Sequence, residues 1–442
     1  MAASVTLPNI FGDNMVLQRN SEVKIWGWAN SKEEITLISG WDNQKYQATV
    51  NQQGQWEIAV KTPEAGGPYT IFIKGIEEIV LRNILIGEVW VCAGQSNMEM
   101  SASWGIDNEE EEVKNATDAA IRFFNVPQLT AAKPQSALLG KWTESTPETM
   151  KDFSAIGYFF AKRLREDLKN VPIGLISSNW GGTAAEIWMP EEIVQNDPVL
   201  AENARKFNEQ EYEPRQPGRA YNAMIHPIVG FKIAGTIWYQ GESNVGSLVY
   251  DQTMAALIDS WREAWKDDFP FYYVQIAPYK TRGNNFFNVI LRDSQRKLLH
   301  KVPKTGMVVI SDVSNVKEIH PKDKKPVGIR LANLALAETY KIKSNLVNGP
   351  LFKDFIVEEH KIIVSFDAAN GLHFKNENST QFEMAGADGI FYSAEASILK
   401  DQVILTSKKV LHPVKIRFAW GNTIQSDLLN EANLPASCFI TD

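Results

Sequence analysis

From Leu85 onward, over roughly 250 residues, short apolar runs alternate with stretches of helical periodicity, and no other feature of this chain restricts its fold as strongly. Glu88–Ala93 is a nearly continuous apolar run bounded by Gly87 and Gly94, as suits a strand covered on both faces of a parallel sheet. Phe153–Leu168 repeats apolar residues at helical spacing and leads into the strand-like Ile173–Ser177. Ile233–Gln240 is another apolar run that ends in polar residues; the amphipathic Gln252–Trp265 then precedes Phe271–Ile276. Met307–Ile310 is a further buried-strand run, and Val327–Ile342 a further helix. Such alternation predicts a three-layer α/β domain.

Both flanks lack helical periodicity. Ser4–Ile84 reads as short strands of period-2 alternation: Glu22–Trp28, Glu34–Ile38, Tyr46–Val50, Trp56–Val60 and Tyr69–Lys74. Turn chemistry separates them at Asn51–Gly54 and Glu64–Pro68. After about Ser344 strands return alone, at Lys361–Phe366, Gln381–Met384, Ile398–Lys400, Val403–Leu405 and Val414–Ala419. The expected organisation is an N-terminal β-sandwich over 1–85, an α/β domain over 86–343 and a C-terminal β domain over 344–442. The acidic run Glu109–Glu112 is expected to be a solvated helix face.

Composition removes several classes. A net charge of −8 and 44% apolar residues in 442 argue against both a nucleic-acid binder and a disordered chain. No apolar run approaches the roughly 18–20 residues of a membrane helix. The start, Met-Ala-Ala-Ser, lacks the basic and apolar regions of a signal peptide, which leaves a cytoplasmic protein or a mature form with a new start. Two cysteines, Cys92 and Cys438, cannot make a disulfide scaffold or a cysteine-based zinc site. Aromatic content, with 13 Trp, fits sugar-stacking surfaces and β-sandwich cores equally.

Ligands of doubly wound α/β domains sit beyond the carboxyl ends of strands, so the residues following each strand carry the chemical interest. Gly94-Gln95-Ser96-Asn97-Met98 follows the first. A serine on a tight strand-to-helix turn presents its hydroxyl and its own N–H at a helix N-terminus, as a nucleophile would, or else merely caps that helix. Ser178-Asn179-Trp180-Gly181-Gly182-Thr183 follows the second, where paired glycines let N–H groups converge on an anion or simply make a turn. Gln240-Gly241-Glu242-Ser243-Asn244 follows the third and supplies amides and a carboxylate at a buried edge. Ser311-Asp312 and then Glu318-Ile319-His320-Pro321 follow the fourth. His320, with a carboxylate two residues upstream, has the base-and-orienter pattern that activates a serine; His226 is the rival base, without an acid near it in sequence. No clustered metal-ligand motif, phosphate loop or dinucleotide fingerprint occurs, so no metal or cofactor is expected.

Taken together and in order, these motifs resemble the sialate O-acetylesterase family, a branch of the SGNH (GDSL-like) hydrolases. The resemblance runs along the chain, through Leu7–Phe11, Met15–Arg19, Trp26–Ala29, Gly87–Trp90, Gly94–Met98, Trp180–Thr183, Trp238–Asn244, Ile319–Pro321 and Leu434–Ser437 to Thr441-Asp442. It implies a flavodoxin-like α/β hydrolase domain flanked by β-sandwich-like domains, and metal-independent removal of acetyl groups from sugar hydroxyls. Carried onto this sequence, Ser96 is the nucleophile and His320 the general base, with the N–H of Ser96, a glycine of Gly181-Gly182, and Gln240 as oxyanion donors. Family members often carry Asp two residues before the histidine; here it is Glu318, which leaves Glu318, Asp312 or a backbone carbonyl as the third member.

Trp180 and Asn244 are candidate substrate contacts, Trp188 a second candidate sugar platform, and Arg292 a candidate partner for a sialate carboxylate. The expected partner is an O-acetylated sugar or glycan, with sialic acids first and acetylated xylan or other plant glycans as the alternative. Family members are commonly exported, which implies that the Met-Ala-Ala start replaces a removed signal peptide. An inactive glycan-binding protein and a serine peptidase or lipase are the competing classes.

Overall fold

The computed structural model describes residues 5–206, 214–281, 283, 285–342 and 346–441. The chain forms two compact units, residues 1–238 with 256–271 and residues 239–255 with 272–442.

The first unit opens with β1 (Val16–Gln18), β2 (Glu22–Trp28), β3 (Glu34–Ser39), β4 (Lys45–Thr49), β5 (Gln55–Lys61), β6 (Gly66–Lys74) and β7 (Glu78–Gly94). All five strands expected in this region are present. Their alternation is plain in β5, where Trp56, Ile58 and Val60 are buried while Gln55, Glu57, Ala59 and Lys61 face out. β2 and β5 pair antiparallel, Gly27 opposite Trp56; β4, β3, β6 and β7 form a second sheet, with β1 parallel to β7.

β7 belongs to two sheets at once. Its first half pairs with β6 and β1, and from Glu88 onward it is the parallel neighbour of β10 (Ile173–Asn179). The expected boundary at residue 85 therefore falls inside one continuous strand of 17 residues. Nothing interrupts it because Ile84–Gly94 is buried throughout, so one apolar run serves both cores. Within this unit the α/β sheet has the order β11 (Gly235–Tyr239), β7, β10, β8 (Asp118–Asn125) and β9 (Trp142–Ser145).

The helix Ala155–Asp167 starts at Ser154, whose hydroxyl accepts the N–H of Gly157, and buries Ala155–Ala161 and Leu164. Phe160 packs edge-on against Trp90 of β7 at 5.1 Å between ring centroids. The acidic run does form a helix, Glu109–Lys114, but Glu112 is buried and takes an ion pair from Lys162 at 3.2 Å. That corrects the expectation of a wholly solvated face.

The second unit contains the neighbouring strands β12 (Phe271–Val274) and β13 (Thr305–Val308) and the helices Phe287–Leu298 and Lys325–Glu338. Strands alone follow from Leu351. One antiparallel sheet carries Leu351–Glu358, Lys361–Asp367, Gln402–Thr406 and Glu395–Leu399; another carries Phe391–Ser393, Phe382–Ala385, Lys415–Phe418 and Phe439–Ile440. Ile362, Val364 and Val403 of the first share one core with Phe382, Met384, Phe418 and Phe439 of the second. The expected boundary at 343–344 and the first four residues lie outside the described part of the chain.

Cys92 and Cys438 are both buried thiols without a disulfide. No described helix is long and apolar enough to cross a membrane, and among the described residues no group of three or more His, Cys, Asp and Glu is placed to hold a metal ion.

Candidate active site

Parallel pairing of β7 with β10 sets Gly94 opposite Asn179, so the two strands end side by side and their following turns meet. Gly94 has φ +138°, a conformation that glycine adopts without strain. The chain then turns into the short helix Ser96–Glu99, and Ser96, 8% exposed, is its first residue. The first N–H groups of a helix have no partner within it, and that of Ser96 stands among them.

Across from it, the N–H of Trp180 donates to the Gly94 carbonyl at 3.1 Å. Gly181 then passes so close that a methyl group added to its Cα would lie 3.3 Å from Ser96 Cβ and 3.2 Å from Glu99 Oε2. Thr183 fixes the far end of this turn. Its hydroxyl donates to the Trp180 carbonyl at 2.7 Å and accepts the indole N–H of Trp188 at 3.0 Å. Trp188 is wholly buried, edge-on to Trp238, with its carbonyl taking the Trp261 indole N–H. It is a pillar beneath the turn and corrects the expectation of a sugar platform; Trp180 itself is half-buried.

Glu99 is a member that sequence motifs did not single out. Its Oε2 accepts the Gly181 N–H at 2.6 Å, and its Oε1 accepts the Gln128 side-chain amide at 2.8 Å. Burial raises its pKa, against the lowering pull of those two donors. The Gly181 N–H is thereby committed to a carboxylate, which corrects its assignment as an oxyanion donor and leaves Gly182, at φ +76°, as the member of the pair for that role.

The second unit holds the other predicted residues. Gln240 is wholly buried with its amide set from both ends: Nε2 donates to Asn244 Oδ1 at 2.7 Å, and Oε1 accepts the Tyr250 hydroxyl at 2.7 Å. Asn244 is wholly buried too, and its Oδ1 fixes the Gln240 amide. Arg292 is removed from substrate. It is 2% exposed, with Nε on Asn288 Oδ1 at 2.8 Å and an Nη on the Gly421 carbonyl at 2.6 Å.

His320 is half-buried on the segment that follows β13. Its pKa lies below 6.5 because burial and the Lys324 ammonium disfavour the imidazolium more than the Glu318 carboxylate favours it. Glu318 is exposed. Asp312, the alternative third member, is held by both Nη atoms of Arg330 at 2.7 and 2.6 Å, a two-pronged ion pair that occupies both its oxygens. Val316 has φ +56°, a strained conformation for a β-branched residue and of a kind that collects near functional sites.

Lys324, 1% exposed, was also invisible to motif reading. Burial drives its pKa down to about 7 against the opposing pull of Glu242, and its Nζ lies 5.7 Å from the centre of the Tyr239 ring. His226, the rival base, hydrogen-bonds through Nδ1 to the Gln135 carbonyl at 2.7 Å and lines a cavity whose walls do not include Ser96.

A parallel α/β layer with a serine at the end of its central strand, against a glycine turn, is the arrangement of a hydrolase. Comparison with known proteins carries this further. A carbohydrate acetylesterase from Xanthomonas citri shares 36% identity with this chain and superposes with a TM-score of 0.90, covering 99% of this chain and 100% of that one. Human sialate O-acetylesterase is 27% identical over 411 residues, covering 84% of this chain and 78% of the human protein, and the mouse protein is 28% identical over 402. The chain is a carboxylic ester hydrolase. Residues 86–337 match the carbohydrate esterase family of sialic acid-specific acetylesterases, and the chain belongs to that family.

Proposed function

We propose that the enzyme removes O-acetyl groups from sugars through an acetyl-serine intermediate, with O-acetylated sialic acids as its first substrates, and that it acts outside the cytoplasm. In the proposed organisation the hydrolase portion, 86–343, stands between β-sandwich portions, 1–85 and 344–442. The observation that carries the chemistry is Ser96 itself, at the head of a helix on the carboxyl end of β7 and packed against Gly181.

His320 takes the Ser96 proton as Oγ attacks the acetyl carbonyl carbon. Its depressed pKa keeps the ring neutral, as a base must be. The tetrahedral oxyanion is met by the N–H groups of Ser96 and Gly182 and by the amide of Gln240. The Gln240 side chain is turned in advance by Asn244 and Tyr250 and so pays no reorganisation at the moment of reaction. The C–O bond to the sugar breaks, and His320 returns its proton to the departing hydroxyl. Water, deprotonated by the same ring, then attacks the acetyl-serine; the C–O bond to Ser96 breaks, His320 returns the proton to Oγ, and acetate leaves. Glu318 serves through its charge on His320, and half-buried Trp180 faces the sugar.

Acetate release from an O-acetylated sialoside and from acetylated xylooligosaccharides tests the reading. Wild type should release acetate, and Ser96→Ala should lose at least about 10³-fold in kcat. Gln240→Ala should lose about 10²–10³-fold. Full activity of a folded Ser96→Ala variant would refute the serine mechanism, and preference for xylan would reassign the substrate.

A further inference from the structure

The cavity lined by His226, of about 600 Å³, lies in the first unit against the outward face of the β2–β5 pair. That volume is in the range of small-ligand pockets, roughly 300–1,000 Å³. Trp26 and Trp28 stand two residues apart on β2 and therefore on the same face, both half-buried where the other outward residues of that strand, Glu22 and Lys24, are exposed. Register places Glu57 opposite Trp26 and Gln55 opposite Trp28. Trp26 is braced edge-on by Phe11 at 4.6 Å, so its ring is held in place rather than loose at the surface.

His226 closes the cavity from another segment. The Gln135 carbonyl can only accept, so the His226 Nδ1 bonded to it carries the proton, and in the neutral ring Nε2 accepts. The walls thus combine three tryptophans, Trp56 among them, with the amides of Asn51 and Gln55, a carboxylate and an imidazole, while Thr49 and Ser136 add hydroxyls.

We infer that this cavity is a carbohydrate-binding site apart from the hydrolytic residues, and that it takes uncharged pyranose units of the glycan. A pyranose has C–H faces that lie on indole rings and a rim of hydroxyls that donate to carboxylate and imidazole and accept from amides. Charge selects the uncharged class. Glu57 is the only carboxylate among the described lining residues, none of them is Lys or Arg, and the nearby Lys24 ammonium is taken by Glu57 at 3.0 Å. A sialate carboxylate would meet Glu57 and find no cation among the described lining residues, whereas the neutral sugars of an acetylated chain need none. The site rests on the proposed glycan esterase only for its biological use, since binding here needs no acetyl group.

The test is calorimetric titration of wild type, Ser96→Ala, Trp28→Ala and Glu57→Gln with unacetylated xylohexaose, cellohexaose, mannohexaose and lactose, and with N-acetylneuraminic acid. Far-UV circular dichroism checks the fold of each variant, and 1-naphthyl acetate hydrolysis reads the esterase separately. At least one neutral sugar should bind wild type and Ser96→Ala alike. Trp28→Ala should weaken that binding tenfold or more and Glu57→Gln several-fold, with 1-naphthyl acetate turnover unchanged. Absence of neutral-sugar binding, binding indifferent to both pocket substitutions, or selective binding of N-acetylneuraminic acid there would overturn the inference. Failure of wild type to hydrolyse 1-naphthyl acetate would instead strike the esterase reading and leave the pocket standing.

Discussion

His320 stands between two opposite charges, the Lys324 ammonium four residues on and the Glu318 carboxylate two residues back, and together with burial the ammonium prevails. A base works only when neutral, so a lowered pKa extends its working range toward acid: the acid limb of kcat/KM should fall below pH 6.5. Lys324→Met removes a neighbour that disfavours the imidazolium and should move that limb upward, whereas Glu318→Gln should move it further down. A pH profile whose acid limb stays fixed in both variants would detach His320 from the rate. Gly181 offers a second test at this scale. Its φ is outside the left-handed region, so alanine is acceptable to the backbone, yet the new methyl would press on Ser96 and Glu99 at 3.3 and 3.2 Å. Gly181→Ala should keep the fold and lose about 10–100-fold in kcat through misplacement of the nucleophile; unimpaired turnover would mean that this close approach does not matter. Ser96, Gln240 and His320, the residues of the proposed mechanism, could be picked from the sequence because each sits in a motif after a strand. Glu99 and Lys324 were not, since their importance comes from burial and from partners distant in sequence, Gln128 and Gly181 for one and Glu242 for the other.

Strand ends set the positions of these groups, and elements were readable to the extent that their burial was apolar. The Ile84–Gly94 stretch of β7, together with β10 and β11, stood out because each is buried along its full length by a run with few charged residues. β8 carries Arg122 at 2% exposure, its Nε on the Ala119 carbonyl, and the helix Phe287–Leu298 buries Asn288, Arg292, Asp293, Gln295 and Arg296. Buried polar residues do not mark a core face in a sequence as apolar ones do, and this helix is not among the elements read from the sequence. The same principle of internal satisfaction governs Gln240. Tyr250, at the start of the helix Tyr250–Trp265, donates to its Oε1, while Asn244 holds its Nε2. Tyr250→Phe keeps the ring and removes only the donor, leaving Asn244 in place. It should lower kcat about tenfold with KM little changed, a smaller loss than that of Gln240→Ala. A loss in KM alone would show that the tyrosine acts on substrate rather than through Gln240.

At the scale of the molecule, β7 makes the N-terminal strands inseparable from the α/β layer, and a single carboxylate concentrates that dependence. Glu88 is 3% exposed at the point where β7 passes from β1 to β10. Its Oε2 accepts the Gln18 amide at 2.8 Å and its Oε1 the Arg19 guanidinium at 2.5 Å, while Gln18 Oε1 accepts the Val89 N–H. The N-terminal strands are thus clasped onto the central strand by a buried polar knot. Removing one partner of such a pair leaves the others desolvated and unmatched, at a cost of about 3–5 kcal/mol when both are fully buried. The Arg19 side chain is 23% exposed and can recover part of its hydration, so Glu88→Ala should cost about 3 kcal/mol. Because one strand serves both sheets, the loss should be felt by both together. Tryptophan fluorescence, with Trp26 and Trp56 on one side of the junction and Trp90 and Trp142 on the other, and far-UV circular dichroism should shift to lower urea in step. An early fluorescence transition that left the dichroism of the α/β layer untouched would show that the N-terminal strands melt alone, and that β7 joins the two sheets without coupling them.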